Sequence, residues 1–296
     1  MRTIPIYIVC SILLMGRTFC VAQKEEPCSP CRRNAVLSVG VVGTIGSYYL
    51  LDQLWYSTYP RTTLHSFDDS DEWLQMDKAG HMMTCYTIGR YGTDILRWSG
   101  MDHRKSMWLG GSAGFIYMTG IEILDGKSSQ WGFSWSDMIA NAGGSLMYIA
   151  QENFWKEQRI VLKISYTSSP FAEKNPEALG RNFQQRLFKD YNAQTYWSSI
   201  NVSSFLASDA AFPRWLNVAI GYGATEMLSA KTNNLNVDNS FQQCEFYLSF
   251  DADLVRVRWK KKWMQQTAKI LSFIKLPSPT LEVKGNGRVK MHGIFF

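Results

Sequence analysis

Apolar positions follow two different rules along this chain, and the change falls near residue 156. Before it stand three uncharged runs, 35–51, 106–121 and 138–151, set in sequence rich in Gly, Met and Trp. These runs straddle the length of about 17 residues at which a helix can begin to span a bilayer. They predict helices. Arg32 and Arg33 precede the first run on what an export signal would make the outer side, against the positive-inside preference of an inner-membrane anchor. Burial in a bundle is therefore the expectation over spanning. Gly40, Gly43 and Gly46 recur at three-residue steps and Gly110 with Gly114 forms a GxxxG, a pattern that lets helix backbones approach closely.

After residue 156 the period becomes two. Tyr196, Ser198, Ile200 and Val202 alternate with Trp197, Ser199, Asn201 and Ser203, and Leu216, Val218, Ile220 and Tyr222 with Asn217, Ala219, Gly221 and Gly223. Clearest is Phe246, Leu248, Phe250, Ala252 and Leu254 against Tyr247, Ser249, Asp251 and Asp253. The pattern predicts antiparallel strands with an apolar face on a core and a polar face in water. Residues 159–167 and 281–296 are weaker strand candidates. Two helical insertions are expected, one opened by Asn175-Pro176-Glu177 and running to Tyr191, the other over 260–275. The second begins Lys260-Lys261-Lys262-Trp263, which suits either a helix packed on the sheet or one held at a membrane surface. About five strands fall short of the eight of the smallest common outer-membrane barrels, so an independent barrel is not expected. The terminal Phe296 keeps outer-membrane association open.

The fold class is thus α+β, an N-terminal helical bundle followed by an antiparallel β-rich region with helical insertions. The expected divisions are a signal peptide over 1–22, a polar segment over 23–33, a helical domain over 34–156 and a β-rich domain over 157–296. The signal reading rests on Arg2, an apolar stretch from Ile4 to Gly16 and the small-residue ending Cys20-Val21-Ala22. Neither Cys10 nor Cys20 follows the small aliphatic motif of a lipid-modified cysteine, so the expected mature chain starts at Gln23 without lipid. It keeps 29 basic and 25 acidic side chains of the original 31 and 25. That balance argues against a nucleic-acid partner. With 46% hydrophobic residues the chain can build a core, while a mean hydropathy of −0.18 excludes a protein made mostly of spans.

Cys28-Ser29-Pro30-Cys31 sits in an exported, polar segment, where a short disulfide between Cys28 and Cys31 is favoured over free thiols, redox chemistry or metal binding. No second CxxC or His pair completes a zinc site. Cys85, in an apolar helical stretch, reads as a core residue.

The strongest chemistry lies in 77–152. Asp77 and His81 are four apart, Glu122 and Asp125 three, Asp137 and Asn141 four, so each pair can share a helix face within apolar sequence. If the pairs converge, burial forces them to satisfy one another, Lys78 or a bound cation. Each also has a plain reading: Ser134 to Asp137 is a capping box, Asp77 a helix cap, Asp125-Gly126 a turn and His81 a satisfied core histidine. No nucleophile elbow, P-loop or HExxH accompanies them. The expectation is a polar network of Asp77, Lys78, His81, Glu122, Asp125, Ser134, Asp137 and Asn141, with no cofactor predicted. His81, Glu122, Asp125 and Asp137 are the residues an acid–base or divalent-metal site would use.

Three ordered segments, Asp77-Lys78-Ala79-Gly80-His81, Thr119 to Gly126 and Gly132 to Asp137 with Ala140-Asn141-Ala142-Gly143-Gly144, resemble the YfiM-like family of predicted periplasmic lipoproteins, a domain of unknown function. Their order and spacing also look like a remote version of the VanZ-like membrane family. The β-rich half looks like what envelope proteins of Bacteroidetes-type bacteria append to such a domain. The resemblance implies an exported helical domain of the bacterial envelope, periplasmic or outer-membrane, with no assigned reaction. Two function classes follow: a non-enzymatic, membrane-associated structural or binding protein whose partners are the membrane surface or envelope components, and a membrane-proximal hydrolase or transferase on a lipid-linked or cell-wall substrate. Side-chain distances around His81 discriminate between them.

Overall fold

A computed structural model of the chain describes residues 30–57, 59–207, 211–230 and 241–296. The signal peptide expected over 1–22 lies outside them, as does Cys28; Cys31 is exposed in the first turn of α1.

Helix α1 (Pro30–Leu51) opens on a proline, which the first turn tolerates because its missing N–H would have no intrahelical partner. Its apolar residues are not confined to a stripe, and not one residue of the helix is buried. The expected burial of 35–51 is therefore corrected. The expected glycine packing goes with it, since a Cβ on Gly40, Gly43 or Gly46 would meet nothing within 4 Å. What holds α1 is its C-terminal end, where Tyr48 stacks on Tyr117 at 5.2 Å, and Arg32, which lies over the Trp98 ring at 5.1 Å. At 22 residues and a mean hydropathy of 1.4, α1 is long and apolar enough to cross a membrane.

The chain then departs from the continuous helix content expected of 34–156. A single π-turn, Asp52–Tyr56, ends α1, and the segment that follows runs extended beside the loop before α4, with Arg61 bridging Ser128 and Ser66 bridging Phe133. Helices α2 (Met76–Trp98), α3 (His103–Asp125) and α4 (Trp135–Phe154) pack against one another. Their closeness depends on glycine: a Cβ on Gly114 would lie 2.4 Å from the Cys85 carbonyl oxygen, and one on Gly144 2.1 Å from that of Met82. The second uncharged run, 106–121, is thus half buried within the bundle, unlike the first. Helix α4 starts at the expected cap, the Ser134 hydroxyl accepting from the Asp137 N–H. Asp77 caps nothing; α2 begins one residue earlier, after Gln75.

Six antiparallel strands follow in sequential order: β1 (Ile160–Tyr166), β2 (Gln194–Ile200), β3 (Leu216–Thr225), β4 (Gln243–Ala252), β5 (Ser278–Lys284) and β6 (Val289–Phe295). The stretch expected as one strand over 281–296 is a hairpin that turns at Gly287, whose φ of +81° favours glycine. The expected 176–191 helix is broken. After the short α5 (Phe171–Lys174), α6 (Pro176–Leu179) stops at Gly180, whose φ is +102°, and α7 (Phe183–Lys189) restarts on the Asn182 cap. Helix α8 (Lys262–Ile270) is shorter than the expected 260–275.

The sheet reverses the expected faces. Its inner side carries the polar partners of the alternation: Lys163, Ser199, Asn217, Glu245, Asp251 and Glu282 are buried, whereas Ile220, Phe246, Leu248 and Phe250 are exposed. Curvature produces this. Lys163 of β1 reaches Asp251 of β4 at 2.5 Å, and Phe295 of β6 lies 6.1 Å from the Trp197 ring of β2, so the sheet curls back on itself. Residues 273–275 run beside β1, with Ile164 N–H donating to the Phe273 carbonyl and Lys275 N–H to that of Ile164, while Thr167 Oγ1 donates to the Phe296 carbonyl. On the outer side, Leu162, Ile164 and Tyr196 of β1 and β2 pack against Met83, Tyr86 and Ile149 of the bundle.

Candidate functional site

Where α2, α3 and α4 meet the 66–71 segment and the turn before β2, the three predicted pairs converge. Lys78 Nζ is the hub, 2.7 Å from Asp69 Oδ2, 3.1 Å from Asp137 Oδ1 and 3.5 Å from Asp77 Oδ2. His81, one turn on, places Nδ1 3.1 Å from Asn141 Oδ1 and 3.6 Å from Glu122 Oε1, with Nε2 3.8 Å from Asp77 Oδ1. Glu122 Oε2 accepts the Ser134 N–H at 3.0 Å, so the cap of α4 and the acid of α3 share one residue. Asp125, at the end of α3, accepts from Tyr56 at 2.8 Å.

Contacts join seven of the eight residues expected in the network, whereas Asp125 stands beside it and is hydrogen-bonded to Tyr56. Three further contributors carry no periodic signal. Asp69 accepts from both the Ser134 and the Ser136 hydroxyls, at 2.6 and 2.7 Å. Tyr191 donates to Asp77 Oδ1 at 2.5 Å, and Tyr56 to Asp125. They come from turns and loop ends, where nothing in the local sequence fixes a face. Ser136 stands one residue before Asp137 and was legible only as part of the cap. Cys85, expected as plain core, also donates to Asn141 Oδ1 at 3.3 Å.

Five carboxyl groups, Asp69, Asp77, Glu122, Asp125 and Asp137, face two cationic side chains, and the imbalance sets the protonation. Burial, with the Asp137 and Asp125 charges adding, pushes Glu122 up to about 8 against the opposing pull of His81 and the Ser134 N–H. Burial likewise raises Asp125 to about 7 despite its Tyr56 hydrogen bond. Asp137 rises to about 7 through burial and the nearby Asp77 charge, opposed by His81 and Lys78. Burial would raise Asp69 too, but Lys78 and the serine hydroxyls hold it well below the usual carboxylate range. Of Asp69 and Asp137, Asp137 is accordingly the one that takes up a proton more readily. Burial would deprotonate Lys78 and His81, yet the surrounding carboxylates outweigh it and raise both.

The arrangement offers two kinds of chemistry. Asp77, His81 and Asp137 present ligand atoms within 4.8 Å of one another, enough for a cation, although the Lys78 ammonium already occupies the Asp77 and Asp137 side. Glu122 has the acidity of a general acid near neutrality, but it is only 1% exposed and is closed off by Ser134 and His81. The cavity of about 250 Å³ lined by Glu157, Ser203, Ser204, Arg214 and Arg256 shares no residue with the cluster.

Residues 66–151, under a third of the chain, match the model of a family described as predicted periplasmic lipoprotein (DUF2279). The match spans every member of the cluster except Tyr56 and Tyr191 and ends before the sheet. Its lipoprotein description contrasts with the non-lipidated N-terminus expected from the sequence; Cys10 and Cys20 both lie outside the described residues. No curated protein and no solved structure was found to match the chain. The helical unit built around Lys78 and His81 is thus similar to the DUF2279 family of predicted periplasmic lipoproteins, a similarity that places the chain in the bacterial cell envelope.

Proposed function

We propose that the protein is a non-catalytic, membrane-associated envelope component in which the buried network fixes the helical unit to the sheet and leaves binding to the surfaces outside it. The observation that carries this reading is the reach of Lys78 and Asp77. Together they join the 66–71 segment through Asp69, helix α4 through Asp137 and the turn before β2 through Tyr191. Groups so occupied with one another have little freedom to turn over a substrate, and removing one strands its partners without water.

A second reading, a divalent-metal or hydrolytic site, is favoured by Glu122 Oε1 and Asn141 Nδ2, buried atoms without a hydrogen-bond partner among the described residues, beside the Asp77, His81 and Asp137 ligand set. Elemental analysis of purified wild type and His81→Ala, run beside their melting curves, separates the two. The structural reading expects no stoichiometric metal and a large loss of stability. A metal present in wild type and lost in a variant that melts normally would replace it with the second reading.

A further inference from the structure

Four strands of the sheet present an apolar surface outward, covered only at the Tyr222–Ala224 end of β3, which packs against Trp73, Leu74 and Met76. Cross-strand register puts Ile220, Leu248, Leu281 and Met291 in one row and Tyr222, Phe246, Val283 and Val289 in the next. In both rows every Ile, Leu, Phe, Val and Met is between 37 and 77% exposed, and neither row contains a charge. The charges of the same strands point the other way: Glu245, Asp251, Glu282 and Lys284 make ion pairs, Lys284 bridging Glu245 and Glu282 at 2.8 and 3.3 Å and Lys163 meeting Asp251. A water-soluble sheet has the opposite polarity. The satisfied inner pairs fix this register, because a slip of one residue would place each of those charges on the outside and each apolar row within.

On β1 and β2 the outward apolar face is covered by the bundle. We propose that on β3–β6 it is covered by the hydrocarbon of a lipid bilayer, which rests on and deepens the membrane-associated reading above. Three features favour lipid over a second protein. The rows carry no charge, and the one hydroxyl among them, that of Tyr222, is already spent on the Leu74 carbonyl, so they offer none of the hydrogen-bonding side chains that accompany a protein interface. The face is the convex side of a curled sheet, so two copies would touch along a narrow strip, whereas lipid chains conform to it. The same chain carries α1, a second surface suited to lipid, with no residue buried. Strands β3 and β4, ten residues each, match the 9–11 residues of a strand that crosses the hydrocarbon layer.

The test uses the full chain, with every cysteine except buried Cys85 replaced by serine, reconstituted into vesicles of phosphatidylethanolamine and phosphatidylglycerol. Nitroxides are attached at Leu248→Cys and Met291→Cys, both exposed positions, with Asn286→Cys in the hairpin as the water reference. Collision with dissolved oxygen and with a water-soluble nickel chelate is measured at each site. The expected result is high oxygen and lost nickel relaxation at Leu248 and Met291, with the reverse at Asn286. Nickel access at Leu248 and Met291 equal to that at Asn286 overturns the proposal. So does dipolar broadening at Leu248 that disappears on dilution with unlabelled protein, since a second copy would then cover the face. Flotation of the same vesicles distinguishes the two levels: a chain that fails to float removes the membrane-associated reading as well, while one that floats with a wet Leu248 is held elsewhere and only the sheet proposal falls.

Discussion

The helical bundle and the curled sheet both bury charge, but they make it tolerable in different ways. Inside the sheet most buried charges are paired, Lys163 with Asp251, which also accepts from Ser199 at 2.6 Å, and Lys284 and His292 with Glu245 and Glu282, while the buried Lys275 ammonium donates to Ser249, Ser278 and the Leu276 carbonyl. Inside the bundle, five carboxyl groups share two cations, and the shortfall is met by protons held on Glu122, Asp125 and Asp137. In the sheet interior the proton most easily exchanged is that of Lys275, which burial pushes down to about 8. The acid-rich bundle takes up protons on three carboxyl groups, so its stability is linked to pH across the acidic and neutral range.

The sharpest way to break the matched interior is to unmatch it. Lys163→Ala removes the ion-pair partner of Asp251, 2% exposed, leaving it the Ser199 hydroxyl, the Leu276 N–H and the more distant Lys275, and is expected to cost about 3–5 kcal/mol, read from thermal melting. Replacing both partners, as Lys163→Met with Asp251→Leu, should cost less than Lys163→Ala alone, because the carboxylate goes with its partner and Lys275 keeps the Ser249, Ser278 and Leu276 oxygens. A double variant as unstable as the single one would mean the pair does more than neutralise itself.

In the bundle, Glu122→Ala and His81→Ala are each expected to cost about 2–5 kcal/mol, the range for removing one member of a buried polar pair. Glu122→Gln should be mild, since the carboxyl it replaces is protonated at neutral pH and the amide can still accept from the Ser134 N–H. Asp137→Asn should likewise be milder than the alanine variants. Packing gives a contrast of intermediate size. Gly114→Ala forces a Cβ against the Cys85 carbonyl and should destabilise by about 1–3 kcal/mol.

The acid-rich cluster also predicts a pH profile. Glu122, Asp125 and Asp137 have folded values above their unfolded ones, so the native state holds more protons between about pH 4 and 8 and loses stability as pH rises through that window. His81, raised as well, contributes stability that is present below its unfolded value near 6.5 and is lost above it. Asp69, lowered by its partners, works in the other direction and only below pH 4. The Tm is therefore expected to fall by at least about 4 °C from pH 5 to pH 8, and Glu122→Gln should flatten that slope. A Tm that rises over this interval would show that the carboxyl groups are ionised in the folded protein. The smallest effect is expected on α1. Gly43→Ala meets open space and should be neutral or stabilising by at most about 1 kcal/mol.

Much of the cluster could be read in advance because helical spacing is a local property. Asp77 with His81, Glu122 with Asp125 and Asp137 with Asn141 are placed on common faces by 3.6 residues per turn, and Ser134 announces its role as a cap by the Asp three residues on. Asp69, Tyr56 and Tyr191 reach the same cluster from segments without a regular period, so only the assembled chain reveals them. The same contrast separates Gly114 from Gly43. Both sit in uncharged helical runs, but α3 is enclosed by α2 and α4 whereas α1 is not, and close packing has no meaning without a neighbour. The expected 176–191 helix failed at Gly180, whose left-handed φ stops α6 before Asn182 caps α7.

What the sequence determined by itself is the alternation: where the period passes from helical to two, which residues share a face, and hence that Ile220 must lie with Tyr222 and Asp251 with Ser249. What it left open is which face looks inward. A strand fixes the opposition of its two sides through backbone geometry alone, but inside and outside exist only once the sheet has curled far enough for Lys163 of β1 to meet Asp251 of β4. That closure depends on residues 88 positions apart in the chain. It placed the polar rows where their ion pairs are mutually satisfied and turned the apolar rows out.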